Sequence, residues 1–314
     1  MELLVPMDFS PLATQALACA ASFARRFRGR VHVVHVVAGL ECLSSDEWRD
    51  EGDVFEWARA SFDRLTPSLE GVEHVLAIRV GSVSDQVAIY GSTRDIDLIV
   101  TASRRRRGLL RLLSDGVTEP LLRDAPCPVL TVAAAAATGP VGQPWLQKGD
   151  ADMMDIKRIL VPTDFSEDSR HALAHGLELA RSFGATVHLL HVVDLIAPIP
   201  PYAALGGAGA APPDPLVEDA RFELNDLAAE VQDVPLKTVV RIGNAAHQIV
   251  DYVKQMEIDL IVIATHGRRG LSRLLLGSTT ERVVRTADCA VLSVRHPERC
   301  FIKLRPEAQP PVAS

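Results

Sequence analysis

The chain repeats itself, and this constrains its architecture more than anything else in its 314 residues. Leu4–Ser10 reads Leu-Val-Pro-Met-Asp-Phe-Ser and returns at Leu160–Ser166 as Leu-Val-Pro-Thr-Asp-Phe-Ser. Val31–Val37, alternating valine pairs with histidine, returns at Val187–Val193, so both blocks recur at an offset of 156. Further on, Arg79-Val-Gly81 answers Arg241-Ile-Gly243 and Asp97–Val100 answers Asp259–Val262, now at an offset of 162. Asp124–Leu130 matches Ala287–Leu292 at nearly the same distance. Six extra residues therefore enter between the second and third blocks, and the Pro/Gly/Ala-rich stretch Ile196–Pro215 is where they fit.

A domain takes roughly 150 residues, so the length suits two copies of one unit. The expected layout is a domain over 1–135, a linker over 136–155 rich in Ala, Gly and Pro, a second domain over 156–300, and a loose tail over 301–314. In the second copy, short apolar runs at 159–161, 187–193, 236–242, 260–264 and 290–294 read as buried strands. Between them, 168–183, 216–231, 245–256 and 279–286 carry helical spacing, with Gly184 as a stop signal after the first. Strands apolar throughout and separated by helices predict an α/β fold: two tandem doubly wound Rossmann-like domains, each a five-stranded parallel sheet flanked by helices.

Composition narrows the function classes. Hydrophobic residues make up 47% and charged ones 23%, enough for an ordinary core in each half. The net charge of −7 argues against a nucleic-acid partner, whose phosphates need a basic surface. Arg104–Arg107 is the one basic run, a solvated loop or a local anion contact. Five cysteines without C-x-x-C spacing suit neither a disulfide framework nor a zinc site. No stretch approaches 18 uninterrupted apolar residues, and the first residues lack a basic, then apolar leader, so the expectation is a cytoplasmic protein without a membrane partner.

Open parallel sheets bind ligands beyond the carboxyl ends of their strands, where strand order reverses. Two segments of the second copy could serve such a crevice: Pro162-Thr163-Asp164 after its first strand, and Ala264–Ser278 after its fourth. A glycine at 277 removes a Cβ from the approach of a phosphate. Ser278 with Glu281 has capping-box spacing, predicting a helix start whose dipole and amides favour an anion. The segment also resembles the G-x2-G-x9-G-[S/T] signature of ATP-binding universal stress proteins, here Ala264-x2-Gly267-x9-Gly277-Ser278, with alanine replacing the first glycine. Through Pro-Thr-Asp-Phe-Ser, His-Val-Val and the repeat, the resemblance covers nearly the whole chain. It implies that Asp164 and the Val192 backbone hold adenosine, and that glycines, serine and nearby amides hold phosphates. Carried residue by residue, the ATP-binding set is Thr163, Asp164, Val192, Ala264, Gly267, Arg268, Gly277, Ser278 and Thr279, with Mg²⁺ as a possible companion of the triphosphate.

The first copy is an internal control. At the offset of 162, Arg105 stands for Gly267, Asp115 for Gly277 and Gly116 for Ser278. A carboxylate at a helix start occupies the place of an anion, so ATP is expected in the C-terminal half alone. Blander readings stand beside these. Asp164 and its twin Asp8 can cap the following helix, His35 and His191 can be packed strand-end residues, and His266 can be a nucleotide contact or exposed. Arg269 and Arg273, like Arg268, can reach phosphates or face water, and Leu274–Leu276 reads as packing. Trp48, Trp57 and Phe62 suggest an apolar face on a helix. The chain has no G-x-x-x-x-G-K-[ST] loop and no clear base-plus-metal cluster, so the expected function is an ATP-binding regulatory protein with no catalytic residues. A nucleotide-free interaction scaffold and a slow Mg²⁺-dependent ATPase are the alternatives. The short final strands, 129–132 and 291–294, predict an intrachain pseudo-dimer in which one edge pairs with the other, leaving a further homodimer open.

Overall fold

The computed structural model of the chain describes residues 1–37, 51–103, 118–133, 155–194, 215–266 and 276–295. The N-terminal half contains β1 (Glu2–Pro6), α1 (Pro11–Phe27), β2 (Arg30–Val37), α2 (Glu51–Asp63), a 3-10 turn (Thr66–Leu69), β3 (Glu73–Val80), α3 (Val83–Thr93), β4 (Leu98–Ser103), α4 (Thr118–Asp124) and β5 (Val129–Ala133). The C-terminal half repeats the order with β6 (Arg158–Thr163), α5 (Glu167–Phe183), β7 (Thr186–Val193), α6 (Pro215–Ala229), β8 (Leu236–Ile242), α7 (Ala245–Met256), β9 (Leu260–Ala264), α8 (Ser278–Thr286) and β10 (Ala290–Val294). The Arg104–Arg107 run, Trp48, the insertion around residue 200, the linker apart from Asp155, and the tail lie outside the described residues.

Local chemistry sets the helix ends. Ser166 caps α5 by accepting from the Ser169 amide at 3.2 Å, Glu167 and Asp168 face the positive end, Arg181 sits in the last turn, and Gly184 closes the helix at φ 67°. Ser10 caps α1 in the same way, with Pro11 in the first turn. The residue matching Gly184 is Arg28, which closes α1 at φ 51°. A side chain in this left-handed region costs about 1–2 kcal/mol.

Within each half all strands are parallel, in the order 3-2-1-4-5, and the halves join into one ten-stranded sheet, β3-β2-β1-β4-β5-β10-β9-β6-β7-β8. The seam is antiparallel: Thr131 opposes Val291, Leu130 opposes Leu292 and Val129 opposes Ser293. The expected pairing of final strands is thus present within the chain. Both faces are covered, and both core clusters run across the seam. One holds Leu17, Phe23, Leu130, Leu179 and Leu292, the other Val87, Val129, Ile249, Val283 and Val291. Helices also meet across the halves. Arg26 lies 4.5 Å over the Phe183 ring and donates to the Ser182 carbonyl. Arg295 donates to the Leu122 and Arg123 carbonyls at the end of α4, where a cation favours the dipole.

The repeat extends into buried polar pairs with opposite charge environments. His32 meets the Tyr90 hydroxyl at 2.8 Å and the Glu2 carboxylate at 2.6 Å. Its twin His188 meets the Tyr252 hydroxyl at 2.7 Å, but Arg158 replaces Glu2. Burial first, then the charges of Lys237 and Arg158, holds the His188 imidazole below the ordinary histidine range.

Two measurements follow from the sheet. Leu292→Ala should cost about 2–5 kcal/mol in urea denaturation, because Leu292 is buried at the centre of the seam; a loss under about 1 kcal/mol would mean the seam is loosely packed. For His188, the unfolded chain takes up a proton that the folded chain refuses. Its contribution is therefore intact above about pH 6.5 and turns against folding as pH falls below that. His188→Asn should flatten the acid limb of a stability-against-pH curve; an unchanged limb would show that the site does not titrate differently on folding.

Candidate functional site

A crevice opens where strand order reverses. β6 and β9 are in register only at Ile159–Leu260 and Leu160–Ile261. Beyond these pairs they part: β6 continues beside β7 to Thr163–His191, and β9 continues beside β10 to Ala264–Val294. Thr163, Asp164 and Val192 therefore stand on one side of the gap. Ala264, Gly277, Ser278 and Thr279 stand on the other.

The β6 side is a strained turn. Phe165 has φ 64°, a costly conformation for a bulky residue. It is held by its amide donating to Thr163 Oγ1 at 3.0 Å, and by Asp164 Oδ1 accepting from the Ser166 amide at 3.1 Å and hydroxyl at 2.5 Å. The cap of α5 is thus Ser166, and Asp164 contributes through the Asp-Phe-Ser turn by holding the capping residue. Thr163 is buried and its hydroxyl also meets Ser169 Oγ at 3.0 Å, so that side chain serves the turn. The Phe165 ring stacks on His191 at 4.4 Å. His191 Nδ1–H donates to the Thr163 carbonyl at 2.8 Å, which makes it a packed strand-end residue. The Val193 carbonyl accepts from the Gly243 amide on the β8 side. By the alternation of a strand, the Val192 carbonyl faces the opposite way, past the end of β6.

On the β9 side two sequence expectations need correction, the capping box at Ser278 and the open space at Gly277. Ala264 is an ordinary strand residue, extended and buried, so the position does not require a glycine's positive φ. The capping box does not form: Gly277 is the N-cap of α8, Ser278 begins the helix, and Glu281 pairs with Arg285 at 2.9 Å. The space beside Gly277 belongs to the protein. A Cβ there would lie 3.0 Å from the Thr265 carbonyl oxygen, which already accepts from the Gly277 amide at 2.8 Å.

Thr265, His266 and Thr280 complete this wall, and only His266 was legible as a candidate in the sequence. The Thr280 hydroxyl donates to the Ala264 carbonyl at 2.6 Å, tying α8 to β9. His266 meets Thr265 Oγ1 through Nδ1 at 2.9 Å, while its Nε2 is buried without a hydrogen-bond partner among the described residues. No described side chain caps the first turn of α8 either. An uncapped helix start beside an unsatisfied imidazole nitrogen is suited to an anion with acceptor oxygens. Leu276 packs on the core as expected. Gly267, Arg268, Arg269, Arg273, Leu274 and Leu275 lie outside the described residues.

The N-terminal crevice lies at the corresponding gap between β1 and β4, which are in register at Leu3–Leu98 and Leu4–Ile99. Asp8 Oδ1 accepts from the Ser10 amide at 2.9 Å, and Phe9 adopts φ 60°. Arg105, Asp115 and Gly116 lie outside the described residues. Phe62 is buried on the apolar face of α2 as expected, but Trp57 is 40% exposed and lies against Phe9 and His35. Among the described residues no helix is long and apolar enough to cross a membrane. Nor does any group of three or more His, Cys, Asp or Glu among them sit where it could hold a metal ion.

Comparison with known proteins accounts for this arrangement. The model of the universal stress protein family matches residues 1–133 and again 155–295. A universal stress protein of Methanocaldococcus jannaschii is 35% identical over 147 residues, covering 46% of this chain and 84% of that protein. Universal stress protein A homolog 2 of Coxiella burnetii is 34% identical over 146 residues, covering 46% of this chain and 97% of its own. The crystal structure of a universal stress protein from Archaeoglobus fulgidus overlays on 94% of this chain and 96% of its own, with a TM-score of 0.67 at 19% identity, a likeness of fold. Two matched segments, a sheet of two five-stranded units and a crevice at each reversal point together make this chain a tandem member of the universal stress protein family.

Proposed function

We propose that the C-terminal half binds ATP in the β6/β9 crevice and that the chain is a nucleotide-binding regulatory protein of the cytoplasm. The observation that carries this reading is the start of α8. α5 and α7 are capped by Ser166 and Asn244 side chains, but α8 begins at Gly277 with no described side chain on its first-turn amides. Those amides, the Ser278 and Thr279 hydroxyls and the orphan His266 Nε2 would hold the phosphates. Across the gap, the Asp164 carboxylate and the Val192 carbonyl are acceptors for adenosine's N–H and O–H donors. Mg²⁺ would travel on the triphosphate. ATP bound here would supply a ligand-dependent state of the crevice walls, and the residues present would bind and orient it.

The nucleotide-free scaffold drew its support from alanine at position 264 and from the damaged phosphate segment of the other half. As a strand residue without positive φ, Ala264 gives that reading little to stand on. The damaged phosphate segment of the other half remains a reason to expect a single site.

Calorimetric titration of nucleotide-stripped protein should give one ATP per chain, and Asp164→Ala should weaken binding about tenfold or more through loss of a charged hydrogen bond. Two comparable sites would sink the asymmetry, and none would return the scaffold. At Gly277, both Ala and Asp should lower stability by about 1–3 kcal/mol, since either adds the Cβ that meets the Thr265 carbonyl. Only Gly277→Asp should also abolish ATP binding, by adding a carboxylate against phosphate. Equal loss of affinity in the two variants would assign the effect to packing instead of charge.

A further inference from the structure

We propose that the outer edge of β3 is an interface with a second copy of this chain, in which two β3 strands pair antiparallel and the two sheets become one. The proposal is independent of the ATP reading, since it uses neither crevice.

The ten-stranded sheet ends in two edge strands, β3 and β8. Among the described residues each pairs on one side only, β3 with β2 and β8 with β7. An unpaired edge offers a row of amides and carbonyls to another strand. On β3 the residues that offer them can be named. The Gly81 amide donates to the Val37 carbonyl, so Gly81 turns its backbone groups inward. Backbone direction alternates along a strand, so Glu73, Val75, Ala77 and Arg79 also turn theirs toward β2. His74, Leu76 and Ile78 therefore turn theirs outward. An antiparallel partner has to match these residues with its own outward set, which restricts the register.

One allowed register sets Leu76 against its own copy and His74 against Ile78. The intervening residues then meet as Glu73 against Arg79, twice by symmetry, and Val75 against Ala77. These are positions without backbone hydrogen bonds, where facing residues stand closest, about 4.5 Å between Cα atoms. Opposite charges directly across from one another stabilise a strand pair. Ala77 packs against the core cluster that holds Tyr90, so by alternation Glu73, Val75 and Arg79 share that face. Arg79 lies 5.3 Å over the Tyr90 ring, which keeps its guanidinium there. The Glu73 side chain is 67% exposed and meets Arg30 through Oε1, which leaves Oε2 for a second guanidinium.

The apolar surface points the same way. Val75 is 38% exposed, and Ile89 on α3, the helix over that face, is 53% exposed. At the offset of 162 the C-terminal half has Lys237 for Val75, Asp251 for Ile89 and Pro235 for Glu73. β8 thus carries Lys237 and Arg241 with no acidic residue, and two copies of it would set cation against cation. Charged side chains on an edge, lysine above all, guard against strand pairing. β3 has valine in place of that lysine, and a carboxylate that answers its own arginine. A self-complementary contact of this kind closes at a dimer.

The test is analytical ultracentrifugation of the full-length chain over a range of concentrations, with folding followed by circular dichroism. A monomer–dimer equilibrium is expected. Val75→Lys, which copies the C-terminal edge, and Glu73→Arg, which sets like charges opposite, should each raise the dimer dissociation constant about tenfold or more. Combining Glu73→Arg with Arg79→Glu restores the opposition of charge and should return the dimer, a recovery that general damage to the fold would not give. Val75→Lys leaves both charges in place, so it decides the question even where the charge variants disturb the contact with Arg30. A monomer throughout, a dimer indifferent to Val75→Lys and Glu73→Arg, or no recovery in a folded double variant would overturn the proposal. So would growth beyond a dimer, the mark of head-to-tail pairing between β3 and β8. Every one of these outcomes leaves the ATP reading where it stood.

Discussion

The backbone pairing of β5 with β10 is the interaction on which the rest of the molecule depends. A parallel five-stranded unit leaves its last strand at an edge with a row of unmet amides and carbonyls, an invitation to other chains. Here the two edges answer one another, and Leu130 faces Leu292 at the centre of a fully buried strip. Because the pairing is antiparallel while each half is parallel inside, the strands of the halves run in opposite directions. The two crevices, each at the carboxyl ends of its own strands, therefore open at opposite edges of the sheet. No small ligand can touch both. Any influence of one on the other has to pass through the buried strands and helices of the seam.

Both halves keep the same strained turn, with Phe9 at φ 60° and Phe165 at φ 64°. Strain of that kind costs of order 1–3 kcal/mol each time, so its presence twice calls for a cause common to both halves. That cause is local: the aspartate holds the serine that starts the next helix, at 2.9 Å in one half and 3.1 Å in the other. The Asp-Phe-Ser turn is thus a device for launching a helix from a strand end, and its retention says little about ligands. Among the described residues the surroundings of the turn differ: Trp57 lies against Phe9 in the N-terminal half, where the C-terminal half has the exposed Asp219 at the matching position.

Much of this was legible in the sequence because periodicity and repetition report on the backbone. The helix read over 245–256 and the strand over 236–242 match the structure, and the helix read from 168 begins at Glu167. Contacts between elements were less legible. The S-x-x-E spacing at Ser278 marked a helix start but could not separate the N-cap from the first helical residue. That choice was made by the Gly277 amide reaching the Thr265 carbonyl. The same carbonyl explains Gly277 itself, since only the folded chain brings it within 3.0 Å of where a Cβ would stand. Trp57 was read with the apolar face of its helix, yet one residue is a rotation of about 100°. Ala58 and Phe62 face the core, and their neighbour is turned toward the crevice.

The start of α8 brings these differences back to a single physical requirement. The first-turn amides of a helix need acceptors, and a side-chain cap is worth about 1 kcal/mol. At 277 the C-terminal half carries glycine, which brings no side-chain acceptor to the first turn of α8. A helix start without a built-in acceptor depends on what binds there. An anion in the C-terminal crevice would then supply the missing acceptors and stabilise the fold in proportion to the logarithm of its concentration over its dissociation constant. On the proposed reading, the stability of the C-terminal half follows the supply of its ligand.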